Sequence, residues 1–292
     1  MNDEKVKMLE EKAVVIRELI IKMLVAAGSG HSAGPLGMAD IFAAMYFHIL
    51  RHDPKNPGWE NRDRLILSNG HICPVRYAAM ALSGYFPISE LDTLRKINSR
   101  LQGHPHRTAL PGLETTSGPL GEGVSQAIGI ALAAKLDKKN YRVYCASSDG
   151  EHEEGNTWEA AMFAGKARLD NLTMIIDRNN IQIDGMTEDI MPLEPLADKY
   201  KAFNWEVFEV DAHNMRAIVD VVQETKAVHE KPSVIIAHTI PGKGVSFMEN
   251  NYIWHGVPPD AGDVVGAPPK GEQAKAALAE LDAIRKNITG NK

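Results

Sequence analysis

"SDGEHEEGNTWEAAMFAGKARLDNLTMIIDRNN", Ser148 to Asn180, is the stretch on which the fold turns. It opens on a knot of charge: Asp149, Glu151, His152, Glu153 and Glu154, with Gly150 inside it and Gly155 behind it. Charge alone reads as a solvated face; a metal site and a catalytic acid/base pair are the other readings. The flanks say more. "RVYCAS" before the knot reads as a buried strand, "NTWEAAMFAGKARL" as a helix and "LTMIID" as a second strand. Such a strand–helix–strand unit joins parallel strands by a right-handed crossover. Asp149 stands just past the first strand and Asn179 just past the second, 179 − 149 = 30 residues on. In an open parallel sheet both lie at the carboxyl edge, where ligands bind. A carboxylate, an amide oxygen and a nearby backbone carbonyl are hard donors that suit Mg²⁺ or Ca²⁺, and Mg²⁺ also takes phosphate oxygens. The helix starting near Asn156 adds an N-terminal dipole favourable to anions. Alone, Asp149 reads as a helix cap and Asn179 as a turn residue. Together, at this spacing, they favour a metal–diphosphate site.

The same alternation continues outward. After Gly121 come the helix "GVSQAIGIALAAKL" and, beyond Asn180, the helix "PLADKYKAF", strand "WEVFEV", helix "MRAIVDVVQETKAV" and strand "SVIIAHT". Continuous apolar strands between helices predict an α/β fold: a parallel sheet with helices on both faces. Upstream, Lys5 to Ala27 has helical spacing and stops at Gly28. Helices are expected from about Pro35 to Leu50, over Val75 to Leu82, and from a cap at Ser89; "RLILS" is a strand. With no repeat and no clear break, residues 1–292 read as one domain. Its end, about 257–292, is a Pro/Gly-rich linker and a last helix.

Bulk properties exclude several classes. A net charge of −6 without a basic stripe argues against nucleic acid. No apolar run reaches the roughly 18 residues that a membrane span needs. The charged N-terminus is unlike a signal peptide. Two cysteines, Cys73 and Cys145, make no disulfide or zinc framework and read as packing residues, so a cytoplasmic setting is expected. Four of the 11 histidines touch a glycine: His31, His71, His104 and His255. Glycine beside imidazole suggests backbone bent tightly around a ligand.

Taken together, these segments resemble the transketolase family. The opening stretch is similar to its thiamine diphosphate motif, GDG followed about thirty residues later by N or NN. "GSGHSAGPLGMADI", "LSNGHICPVRYA" and "QGHPH" resemble its histidine loops. "TTSGPLGEGVSQAIGIALA" resembles its cofactor loop, and "GKGVSFMENNYIWHG" the loop of its late histidine. The resemblance runs in order from about Gly28 to Gly256. Ser148 stands where the family has the first glycine of GDG, Ser32 where proline is frequent, and Pro241 where some members carry lysine.

The resemblance implies that Asp149, Asn179 and the Ile181 carbonyl hold Mg²⁺ (or Ca²⁺) against the diphosphate. Gly150 lets backbone approach the phosphates, and Gly118 and Leu120 contact the cofactor. His31, His104 and His255 face substrate, and His71 lies nearer the cofactor. Glu154 is implied to be a buried glutamate near the subunit interface, beside the cofactor. Glu151, His152 and Glu153 gain no role and are expected to be exposed. His106 and Arg107 read as a solvated loop, with a sugar phosphate contact as the other reading. His48, His52, His213, His229 and His238 read as surface or core. The activity implied is transfer of a glycolaldehyde unit from a ketose phosphate to an aldose phosphate, as in the pentose phosphate pathway. Single-chain transketolases are more than twice as long, and nothing after Gly256 matches their pyrimidine-binding domain. The implied partner is therefore a separate C-terminal, pyrimidine-binding transketolase subunit in an α2β2 heterotetramer, without which the chain is inactive. A subunit of another thiamine diphosphate enzyme, such as a keto acid dehydrogenase, and a non-catalytic cofactor-binding partner are the alternatives.

Overall fold

In chain order, the computed structural model, which describes residues 1–290, begins with the helices α1 (Asp3–Ala27), α2 (Ala33–Gly37) and α3 (Ala39–Ala44). Strand β1 (Arg64–Leu67), helices α4 (Cys73–Ser83) and α5 (Glu122–Leu136), and strand β2 (Val143–Ser148) follow. Then come α6 (Gly155–Ala167), β3 (Leu172–Arg178), a small antiparallel hairpin of β4 (Ile181–Gln182) and β5 (Gly185–Met186), α7 (Thr187–Ile190) and α8 (Leu196–Ala202). The chain finishes with β6 (Glu206–Asp211), α9 (Met215–Lys226), β7 (Ser233–His238) and α10 (Gln273–Thr289). Five strands form one parallel sheet in the order β1-β2-β3-β7-β6.

Alternation along the strands divides the interior into two cores, because successive side chains point to opposite faces. Tyr144, Ala146, Ile175, Ile235 and Ala237 face α1, α3, α4 and α9. Val143, Cys145, Met174, Ile176, Val234 and Ile236 face α5, α6 and α8. Both faces are covered, which is why these strands read as unbroken apolar runs. On the second face α6 comes close to the turn after α8: a Cβ added at Gly165 would collide with the Phe203 carbonyl oxygen. The last helix is not a loose appendage. It packs on α1, with Arg285 donating to Glu18 at 3.3 Å and Glu280 accepting from the Ser246 backbone at 2.6 Å.

Two expected helices are corrected. The stretch from Pro35 to Leu50 is α2 and α3 followed by a π turn over Met45–Ile49, and it starts at Ala33 because proline fits a first helical turn. The helix expected from Ser89 is a single 3-10 segment, Ile88–Thr93. It ends because Leu94 turns extended and Arg95 takes a left-handed φ of 61°.

Candidate functional site

The register β2–β3 pairs Ser148 with Asp177, so the two strand ends emerge side by side. Asp149 is fully buried. One of its oxygens accepts from Gly150 N–H at 2.8 Å. The other accepts from Asn180 N–H at 2.7 Å and from Arg178 Nη1 at 3.1 Å. Burial pushes the Asp149 carboxyl up to about 6 against the pull of Arg178. Asn179 receives Ile181 N–H on its amide oxygen at 3.0 Å and donates to Asp177 at 2.9 Å. Asp177 is pushed up to about 7, first by burial and then by Asp149's charge, with Thr239 and Asn179 donating to it.

Above this edge is a cavity of about 330 Å³ lined by His31, His71, His104 and His255 at one part, and by Gly118, Leu120, Gly150, Glu154, Asn179 and Ile181 elsewhere. Asp149 lies behind the wall. The rings of His31, His71 and His255 are mutual neighbours, with centroids 4.8, 5.1 and 5.4 Å apart. Burial depresses all four imidazoles, His31 to about 4 and His71 well below its usual value. They are neutral near pH 7, and each presents one N–H and one lone pair. His31 Nδ1 is buried without a partner among the described residues, a polar atom that a ligand would satisfy. A wider groove of about 700 Å³, lined by Arg64, Arg107 and Thr116 among others, lies elsewhere. It holds none of the four histidines, so chemistry rather than size locates the candidate site.

Three positions, Glu151, His152 and Glu153, differ from expectation, and the contacts of Ser32 went unread. Glu151 and His152 are buried, not exposed. The 3-10 turn Gly150–Glu153 rolls them inward. Glu151 accepts from Ser68 Oγ at 2.6 Å, Gly121 N–H at 2.7 Å and Ser148 N–H at 3.1 Å, joining the ends of β1 and β2 to the "SGPLG" loop. Its pKa is pushed up to about 7 by burial. A serine with a glutamate three residues on, Ser148 and Glu151, is a capping-box pattern that could have flagged it. His152 donates from Nδ1 to the Ser148 carbonyl at 2.7 Å and pairs through Nε2 with Tyr200 Oη at 2.6 Å. Glu153, the last residue of that turn, is half-buried, and Glu154 is exposed on this single chain. Ser32, in the proline position, has its hydroxyl 3.0 Å from the Trp254 carbonyl and 2.7 Å from that of Val257. It ties the His31 loop to the His255 loop.

The donors at Asp149, Asn179 and Ile181 are all oxygens. Among the described residues no group of three or more His, Cys, Asp or Glu side chains is placed to hold a metal ion. A cation here would have to rely on one carboxylate, an amide and a carbonyl, a set suited to Mg²⁺ or Ca²⁺ that retains waters and phosphate oxygens.

Residues 9–270 match the family described as transketolase, thiamine diphosphate binding domain. The chain is 45% identical over 274 residues to the 6-deoxy-6-sulfo-D-fructose transketolase subunit of Clostridium sp. (strain MSTE9), covering 94% of this chain and 96% of that one. It is 39% identical over 254 residues to an apulose-4-phosphate transketolase subunit of Phocaeicola vulgatus, covering 87% and 90%. Its fold superposes on the crystal structure of Campylobacter jejuni transketolase with a TM-score of 0.83 at 32% identity, covering 99% of this chain but 48% of that one. The chain thus spans about half the length of that solved transketolase and nearly all of the subunits it matches. It belongs to the transketolase family and carries that family's thiamine diphosphate-binding domain.

Proposed function

We propose that this chain is the N-terminal subunit of a Mg²⁺-dependent transketolase that moves a two-carbon glycolaldehyde unit from an anionic ketose to an aldose. The observation that carries the reading is one cavity where four neutral imidazoles meet the strand edge holding Asp149 and Asn179. Residues 1–292 act as one diphosphate-binding unit, with α10 anchoring its end. Asp149, Asn179 and the Ile181 carbonyl hold the metal ion, Gly150 leaves space for phosphate, and Gly118 and Leu120 border the cofactor. Thiamine diphosphate, when bound, supplies a nucleophilic carbon for a ketose carbonyl. His31, His104 and His255 donate hydrogen bonds to the substrate oxygen on which negative charge develops and shuttle protons as the carbon–carbon bond is cleaved and remade. Their neutrality is what suits them to both tasks. His71 sits on the cofactor side, and Glu154, exposed here, is covered at an interface between subunits.

The partner is a pyrimidine-binding transketolase chain, and an α2β2 heterotetramer places a cofactor between each unlike pair. The relatives named as subunits support a two-chain enzyme. Sugar phosphates of the pentose phosphate type are the first substrates to test. A sulfonated ketose is the second, favoured by the name of the 45%-identical relative. Two free buried cysteines suit a reducing, cytoplasmic compartment. Calorimetric titration of thiamine diphosphate with and without Mg²⁺, in the presence and absence of the partner chain, tests the reading. Metal-dependent binding that Asp149→Ala abolishes is expected; no metal-dependent binding in either state overturns it.

A further inference from the structure

Arg178 is the last residue of β3 and stands next to Asn179, yet the proposed function assigns it no role. Its side chain is 4% exposed and is shared among three carboxylates from three segments. Nη1 donates to Asp149 Oδ2 at 3.1 Å. Nη2 donates to Glu188 at 2.6 Å and to Glu194 at 3.0 Å. Those two carboxylates are themselves fixed: Glu188 accepts from Leu193 N–H at 3.1 Å, and Glu194 from Leu196 N–H at 2.8 Å. The guanidinium is therefore clamped on its outer side by α7 and the turn before α8. It leaves Asp149 only by breaking two further ion pairs.

Lone pairs decide what this clamp does. The two oxygens of a carboxylate offer about four acceptor sites, two on each. Oδ2 of Asp149 has both of its sites taken, by Arg178 Nη1 and by Asn180 N–H at 2.7 Å. Oδ1 accepts Gly150 N–H at 2.8 Å and has one site left. We propose that Arg178 makes Asp149 a one-oxygen ligand and thereby selects the divalent ion of the diphosphate site, Mg²⁺ in preference to Ca²⁺. This rests on the metal–diphosphate reading above and adds the residue that chooses the ion. Mg²⁺ demands a near-octahedral shell, in which a carboxylate bound by both oxygens fits badly. Ca²⁺ takes about six to eight oxygens and accepts such a carboxylate readily. With Oδ2 occupied, Asp149, Asn179 and the Ile181 carbonyl offer one oxygen each, the compact set that Mg²⁺ prefers. With Oδ2 free, Asp149 could chelate, and Ca²⁺ would gain a ligand that Mg²⁺ cannot use. The positive charge of Arg178 repels both dications alike, so the ratio of their affinities, rather than either one, reports the number of oxygens.

The test titrates thiamine diphosphate into the chain assembled with its partner, once in Mg²⁺ and once in Ca²⁺. Wild type is compared with Arg178→Gln and with the double variant Glu188→Gln/Glu194→Gln. Wild type should bind more tightly in Mg²⁺. Arg178→Gln should move the ratio of the two Kd values about tenfold towards Ca²⁺, the low end of what removing a residue that orients a metal ligand does. The double variant loosens α7 and the turn before α8 but leaves Nη1 on Oδ2, so its ratio should stay within about twofold of wild type. A wild type that favours Ca²⁺, or an unchanged ratio in Arg178→Gln even with both affinities raised, overturns the proposal and leaves the metal reading standing. An equal shift in the double variant also overturns it, since Arg178 would then only brace the segment. Cofactor binding by wild type that ignores both ions sinks the metal reading, and the selection with it. If Arg178→Gln does not fold, wild type decides alone. Difference infrared spectra of the chain carrying isotope-labelled aspartate, taken on adding each ion, separate the two modes, because the two carboxylate stretches lie further apart when one oxygen binds. One-oxygen binding of both ions is expected; two-oxygen binding of Ca²⁺ overturns the clamp.

Discussion

At Glu151 one carboxylate accepts three hydrogen bonds, from the ends of β1 and β2 and from the loop before α5. Removing it leaves two backbone N–H groups and a hydroxyl unpaired inside the fold, at ~1–3 kcal/mol for an unsatisfied group. Glu151→Ala should therefore destabilise the chain by about 2–4 kcal/mol in urea denaturation, whereas an exposed glutamate would cost under ~0.5 kcal/mol. The charge run has no periodicity that marks the second residue of a 3-10 turn as buried; only the Ser148–Glu151 capping-box spacing pointed to it. Protonation belongs to the same scale. Burial lowers His31 and His152 from 6.5 to about 4. Between those values the unfolded chain takes up protons that the folded chain refuses, so this contribution is present above about pH 6.5 and lost on acidification through 4. Asp177 and Glu151, raised to about 7, act in the opposite sense. The folded chain keeps protons that the unfolded chain releases, and their contribution is lost as pH rises toward 7. Asp177→Asn deletes one opposing slope. Its stability should fall more steeply than wild type on acidification through about pH 6.5 to 4.5, by up to ~1.4 kcal/mol per pH unit. Parallel stability curves for the two proteins would refute the raised Asp177 pKa. Histidine-selective NMR should find His31 titrating near 4 directly.

At the level of elements, the β2–α6–β3 unit was readable from hydrophobic pattern alone, because strands buried on both faces leave continuous apolar runs. That unit places Asp149 and Asn179 at one edge, as their spacing required. The segment after Ser89 was not readable: Arg95 enters a left-handed conformation that no propensity anticipates. The close approach of α6 to the turn after α8 gives a further test. Gly165→Ala puts a methyl group into the Phe203 carbonyl and should lower stability by ~1–3 kcal/mol, the usual cost of overpacking, seen as a lowered Tm with the far-ultraviolet spectrum retained. An unchanged Tm would mean that α6 can shift away from Phe203 at no cost.

For the whole molecule, the four histidines of the cavity come from positions 31, 71, 104 and 255. No spacing rule unites residues so far apart; a glycine beside each singled them out, and resemblance to a family with the same loops put them in one site. The same view sets the largest prediction. The purified chain should show no transketolase turnover with thiamine diphosphate and Mg²⁺, and turnover should appear on adding the pyrimidine-binding partner; robust turnover by the chain alone would contradict a divided enzyme. Ser32 links its loop to carbonyls 222 and 225 residues further on. During synthesis, that closure must wait until residue 257 has left the ribosome. A nascent chain halted before then has Asp149 and Asn179 already synthesised while the His31 loop still lacks its tie to the His255 loop, so the two parts of the cavity close at different moments in the protein's life.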